Sequence, residues 1–125
     1  MDENIMLMEY DYENDILFFN AEKNYEYEFS EILDESIVMD FNKYKAPIGL
    51  EISNASKIFK VKKFQIKHFS SGDLHICINK NSIKLKLGLS ITVHEKNTPI
   101  PPMSFVGENN LNIPTFESDL AVSSV

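Results

Sequence analysis

A chain of 125 residues, 43% apolar and 25% charged, has the size and make-up of one folded domain, and four Gly with five Pro are too few for a disordered one. A net charge of −7, with every basic residue a Lys, argues against sequence-specific DNA recognition, because the planar Arg fork that reads guanine edges is missing. The single cysteine, Cys77, excludes an internal disulfide framework.

The start, Met1-Asp2-Glu3-Asn4, is acidic where a signal peptide is basic, and the longest apolar runs, Ile5–Met8 and Ile16–Phe19, are far too short to span a bilayer. A cytoplasmic location is the expectation. The charge is unevenly spread: residues 1–53 carry fourteen acids against three Lys, and residues 54–96 carry nine Lys against two acids. In the simplest reading the two halves neutralise each other within one fold. In a sharper one a basic surface meets an anionic partner or the acidic face of a second copy.

Met6–Tyr10 and Ile16–Phe19 are predicted strands, the second covered on both sides, joined by the polar link Asp11–Asp15. Asp11, Glu13 and Asp15 have the one-three-five spacing of a calcium loop, and Glu22 falls at its twelfth position. The sixth position, which needs Gly for a sharp turn, is Ile16, so the pattern reads as an acid-rich turn and no metal is expected. After the link Ala21–Asn24, Tyr25, Tyr27 and Phe29 alternate with Glu26, Glu28 and Ser30. Ile37, Met39 and Phe41 share one side of the next strand, and Asn42–Ala46 closes a hairpin before Pro47. Ile48, Leu50 and Ile52 share one side of the strand after that. Asp40 and Glu51 point away from these apolar faces on neighbouring strands. Two carboxylates sharing a proton could serve as acid and base, which makes them the pair an enzyme would use.

Ser53 or Asn54 can cap a helix, and the spacing of Ala55, Ile58 and Phe59 predicts one near 54–59. A second is expected near 61–69, although Lys62 stands at an apolar position and Phe64 and Ile66 could equally begin a strand. Lys57, Lys60, Lys62, Lys63 and Lys67 alternate here with Phe59, Phe64 and Phe69. The pattern reads either as a single-stranded nucleic-acid surface or as a buried Phe stripe with Lys on the wet side.

Leu74, Ile76 and Ile78 alternate with His75, Cys77 and Asn79, and Asn79–Ser82 closes a hairpin. One Cys with His75, His68 or His94 lacks the four spaced ligands of a zinc site, and no base or orienting group is identifiable for the thiol. The longest alternation runs through Ile83, Leu85, Leu87, Leu89, Ile91 and Val93, with Gly88 as a bend or bulge. Pro99-Ile100-Pro101-Pro102 stops it and contains a PxxP. Met103–Val106 and Leu120–Val122 are expected edge strands around the loop Asn109–Thr115. Ser123-Ser124-Val125 has the form of a terminus that strand-adding domains capture.

Tyr10-Asp11, Asp15 leading into a strand, Ile37-Val38-Met39-Asp40-Phe41 and Ile48-Gly49-Leu50-Glu51-Ile52-Ser53-Asn54-Ala55-Ser56 together resemble a prokaryotic family catalogued as domain of unknown function 2283. The resemblance covers residues 10–56, and the β-rich remainder resembles the extension of longer members. Ser36, Asn42 and the Gly-free turn Asn42–Ala46 depart from the family pattern. The resemblance implies strands followed by a short helix and brings no catalytic residues. Some short relatives look like partners of toxin-like proteins, which implies an antitoxin-like alternative.

Taken together, the residues predict one α+β domain over 1–125, mostly an antiparallel meander with one or two short helices between its halves. Strands 1–53, helices 54–69 and strands 70–125 make up its parts. No catalytic, cofactor-binding or metal-binding residues are expected. The function expected is a non-enzymatic interaction module that binds a protein or itself, with nucleic-acid binding through Lys57–Lys67 and catalysis by Asp40 and Glu51 as alternatives.

Overall fold

Apolar side chains at every second position give each strand one greasy face, and burying those faces together requires the sheet to curl. A computed structural model describes residues 5–22 and 26–125; Met1–Asn4 and the expectations resting on Lys23–Tyr25 lie outside them. The first half contains β1 (Ile5–Asp11), β2 (Ile16–Ala21), β3 (Tyr27–Asp34), β4 (Ile37–Asn42) and β5 (Pro47–Ser53). Two short helices follow, α1 (Ala55–Phe59) and α2 (Lys63–Ile66). The second half contains β6 (Phe69–Ile78), β7 (Ser82–Val93), β8 (Lys96–Pro99), β9 (Met103–Glu108) and β10 (Phe116–Ser124).

The ten strands among the described residues form one sheet in the order β3-β4-β5-β2-β1-β10-β6-β7-β8, with β9 also paired to β7. Among the described residues every pairing is antiparallel except β1 with β10. The architecture is therefore the expected α+β fold of mostly antiparallel strands with two short helices mid-chain. Two neighbour relations depart from a simple meander. β2 pairs with β5 instead of β3, which closes a Greek-key turn of β2 to β5. The strand expected at an edge around Leu120–Val122 is instead β10, lying between β1 and β6 and joining the two halves. Met103–Val106 does lie in an edge strand, β9.

The inward faces make one continuous core, in which Leu17, Phe19, Ile37, Phe41, Ile52, Leu74, Ile76 and Ile83 are wholly buried. Each such side chain contributes roughly 1.5–3 kcal/mol relative to exposure. Phe59 and Phe69 join this core edge to face at 5.5 Å, but Phe64 does not. Its ring stands 55% exposed on α2, so the expected three-Phe buried stripe holds for two. α2 is also shorter than expected: Lys62 is extended (φ −80°, ψ 151°), and the next strand begins at Phe69.

The hairpins explain their own sequences. Asn42 Oδ1 accepts from the Tyr44 and Ala46 N–H groups, and Lys45 takes the left-handed conformation (φ 63°) that a turn Gly would otherwise supply. Asn79 Oδ1 accepts in the same way from the N–H groups of Asn81 and Ser82. β7 ends in a two-residue turn at His94 and Glu95, both left-handed, and returns as β8. Gly88 is neither a bend nor a bulge; it pairs in regular register with Asp73. The irregularity lies between Phe69 and Ser71, and the tight place is Gly72, where a Cβ would sit 1.9 Å from the Gly88 carbonyl oxygen.

Curling brings the far ends of the sheet together. Leu33 of β3 lies against Gly107 of β9 so closely that a Cβ on the glycine would be 2.9 Å from the Leu33 Cα and Cβ. Alongside, Glu31 is only 6% exposed and accepts a hydrogen bond from the Asn110 backbone N–H. β3 is laddered to β4 and β9 to β7, so these two edges meet through side chains along a seam.

Candidate functional site

Asp15 organises the junction between sheet and helix. Left-handed itself (φ 56°), it aims its carboxylate at α1. Oδ1 accepts the Ser56 N–H at 3.0 Å and Oδ2 the Ser56 hydroxyl at 2.6 Å, while the Asp15 carbonyl accepts the Ala55 N–H at 3.0 Å. The Tyr10 hydroxyl donates to Oδ1 at 2.6 Å. Burial pushes the Asp15 pKa up, but the hydrogen bonds from Ser56 and Tyr10 outweigh it and hold the carboxyl below its ordinary value. Burial and the adjacent carboxylate push the Tyr10 hydroxyl upward. Asn54, expected to cap the helix with its side chain, makes no such bond. Its left-handed backbone (φ 53°) turns the chain, and Asp15 does the capping from across the fold. Asp11, by contrast, acts locally, accepting from the Asn14 N–H and side-chain amide.

The basic helix packs on this acidic turn. Lys63 and Lys67 place their Nζ atoms 4.7 and 5.1 Å from the Tyr12 ring centroid; the Asn14 hydrogen bonds chiefly hold Asp11 below its ordinary value, and the Lys63 charge adds a smaller pull there and at Asp15. Here a basic segment and an acidic turn lie side by side. A cavity of about 340 Å³ opens beside it, with Tyr10, Tyr12, Lys67 and Val125 among its lining residues.

Asp40 and Glu51 are diagonal neighbours on the outward face of β4 and β5, since Asp40 pairs with Gly49 and Glu51 with Val38. Asp40 lies over the bare Gly49, and its Oδ1 accepts from the Ser30 hydroxyl at 2.7 Å; Ser30 in turn hydrogen-bonds the Tyr27 hydroxyl at 2.7 Å. Glu51 is raised, first by burial and then by the Asp40 charge. His75, on the outward face of β6, has Nδ1 at 2.6 Å from Asp119 and Nε2 at 3.1 Å from Glu117. The Asp119 hydrogen bond is the main cause of its raised pKa, and only the imidazolium can donate to both carboxylates. Cys77 faces the same way, paired with Glu117 and Lys84. Among the described residues no three His, Cys, Asp or Glu converge as a metal-holding group.

The seam carries two exposed aliphatic side chains. Ile32 is 69% exposed and Val106 61%, and both line a cleft of about 470 Å³ over the Leu33–Gly107 contact. Periodicity alone did not find them. The signal was present in the doublets Ile32-Leu33 and Phe105-Val106: on a one-faced strand, one member of each must point outward.

Residues 7–56, which hold Tyr10, Asp15 and Ser56, match the family described as a protein of unknown function, DUF2283. Across 106 residues the chain is 27% identical to a protein of Methanosarcina mazei named "Putative hypoxanthine phosphoribosyltransferase", covering 85% of this chain and 84% of that one. No solved structure matches the chain. No helix among the described residues is long and apolar enough to cross a membrane.

Proposed function

We propose that this chain is a cytoplasmic, non-enzymatic interaction module whose binding surface is the seam between β3 and β9. The observation that carries this is the pair Ile32 and Val106, each more than half exposed on either side of a cleft where two sheet edges meet without a ladder. Large apolar side chains gathered at an open sheet edge favour association with another protein surface. Affinity capture from lysate of the native organism tests it, using the chain and an Ile32→Asp, Val106→Asp double variant. Proteins retained by the first and lost by the second support the reading; identical retention by both ends it. An antitoxin-like role is one form of the same reading, with a small toxin as the partner.

The name of the Methanosarcina relative suggests nucleotide chemistry, but little in this geometry favours carrying it over. Helix N-termini hold phosphate through free N–H groups, and those of Ala55 and Ser56 at the start of α1 are already taken by Asp15. The four glycines all lie within strands. Asp40 and Glu51 have the proximity an acid–base pair needs, yet Asp40 is committed to Ser30.

The exposed Phe64 ring favours a second reading, single-stranded nucleic acid bound across Lys57–Lys67. It ranks below the first because Lys63 and Lys67 are drawn onto Tyr12, beside two carboxylates. Fluorescence anisotropy with a labelled oligonucleotide decides it: binding must weaken with salt and with Phe64→Ala.

A further inference from the structure

We infer that the partner at the seam is a second copy of this chain, docked about a two-fold axis through the Ile32–Val106 cleft. The inference rests on the interaction-module reading and adds the identity of the occupant. It follows from how charge is laid out on either side of the cleft. On the β9 side the next strand is β7, whose outward positions beside the seam are Lys84, paired with Val106, and Lys86, paired with Ser104. Both lysines are exposed. On the β3 side the next strands are β4 and β5, whose outward positions include Asp40 and Glu51. The surface therefore runs from cationic, through apolar, to anionic.

A patch with that layout is complementary to itself. Rotating a copy by half a turn about an axis through its apolar centre sets the lysine flank of each molecule against the carboxylate flank of the other, and apolar centre on apolar centre. Asp34, exposed at the end of β3, lies on the carboxylate side and in the docked pair faces the partner's lysine side, whereas Glu108 on β9 sits beside the lysines and offsets part of their charge. Glu51 supplies a local reason for the contact. It is half-buried among outward neighbours, opposite Val38 on β4 and Phe18 on β2, with the Asp40 carboxylate nearby. An incoming ammonium would relieve that repulsion.

Sedimentation velocity over a concentration series tests the inference. The chain is expected to form dimers whose dissociation constant rises about tenfold or more between low and about 0.5 M salt, because the flanking pairs are screened. Ile32→Asp should leave a folded monomer, its side chain being solvent-exposed. Lys84→Glu with Lys86→Glu, and separately Glu51→Lys, should each weaken the homodimer. Mixing the two variants should restore a heterodimer, since one contact becomes reversed in sign and the other stays native. A chain that sediments as a monomer at every concentration and salt, or a dimer indifferent to these changes, overturns the inference. If that monomer still captures another protein and loses it with Ile32→Asp, the second copy is wrong as occupant while the interaction reading stands.

Discussion

Asp15 holds Ser56 across 41 residues of sequence, taking both its N–H and its hydroxyl and so capping a helix from a different part of the fold. A cap supplied at long range ties the β1–β2 turn to the sheet–helix junction. Loss of it should therefore cost more than loss of a local one.

Asp15→Ala is expected to destabilise the chain by about 2 kcal/mol and Ser56→Ala by about 1 kcal/mol, read from urea unfolding midpoints. In a double-mutant cycle the two losses should be less than additive, because they remove the same bonds. The folded carboxyl lies below its ordinary value, so its contribution is present above the unfolded pKa and fades as pH falls toward the folded one. Asp15→Ala should accordingly lose its disadvantage in acid.

Glu31 behaves oppositely. Burial at the seam raises its pKa despite the hydrogen bond from Asn110, so the ionised form is penalised in the folded state. The penalty is full at neutral pH and relieved as pH falls through the folded value toward the unfolded one. Glu31→Gln, which keeps an acceptor for Asn110, should raise the thermal midpoint at pH 7 and make little difference near pH 3.

His75 is raised chiefly by its hydrogen bond to Asp119, so its stabilising effect is present below the unfolded value of 6.5 and is lost as pH rises through the folded one. An NMR titration should find the imidazole titrating above that value. Salt, or Asp119→Asn, should move it back.

Three of the four glycines rank themselves by what a methyl group would strike. Gly72→Ala meets the Gly88 carbonyl at 1.9 Å and is expected to cost about 3 kcal/mol or more, while Gly107→Ala presses on the Leu33 backbone and should cost about 1–3 kcal/mol. Gly88→Ala finds only the Asp73 carboxylate at 3.4 Å and should be nearly neutral. Denaturant unfolding of the three variants checks the order.

Phe59→Ala should cost about 3–5 kcal/mol and Phe64→Ala about 0.5 kcal/mol or less, since the first ring is buried against Phe69 and the second stands in solvent.

Local alternation made the strands readable, because a period of two is imposed by the pleat on any strand with one buried face. It could not name neighbours. β10 presents only Phe116, Leu120 and Val122 as apolar inward or half-buried side chains, so it resembled an edge, yet it sits between β1 and β6. β8 was hidden because its turn uses His94 and Glu95 in conformations usually taken by Asn and Gly. The Asp40–Glu51 proximity was legible, since both lie on the outward side of adjacent strands. The Asp15–Ser56 bond was not: each residue has a sufficient local explanation, as turn acid and as helix start. Phe64 misled because a helix of four residues has no complete stripe to bury.

The parallel pairing of Ile5–Met8 with Ala121–Ser124 also governs the order of assembly. During synthesis β1 can ladder with β2 as soon as both are made, but its other edge has no permanent neighbour until β10 has been made as well. Contacts of such long sequence separation slow folding. A nascent chain that stalls before Phe116 would present that edge to any other strand in reach.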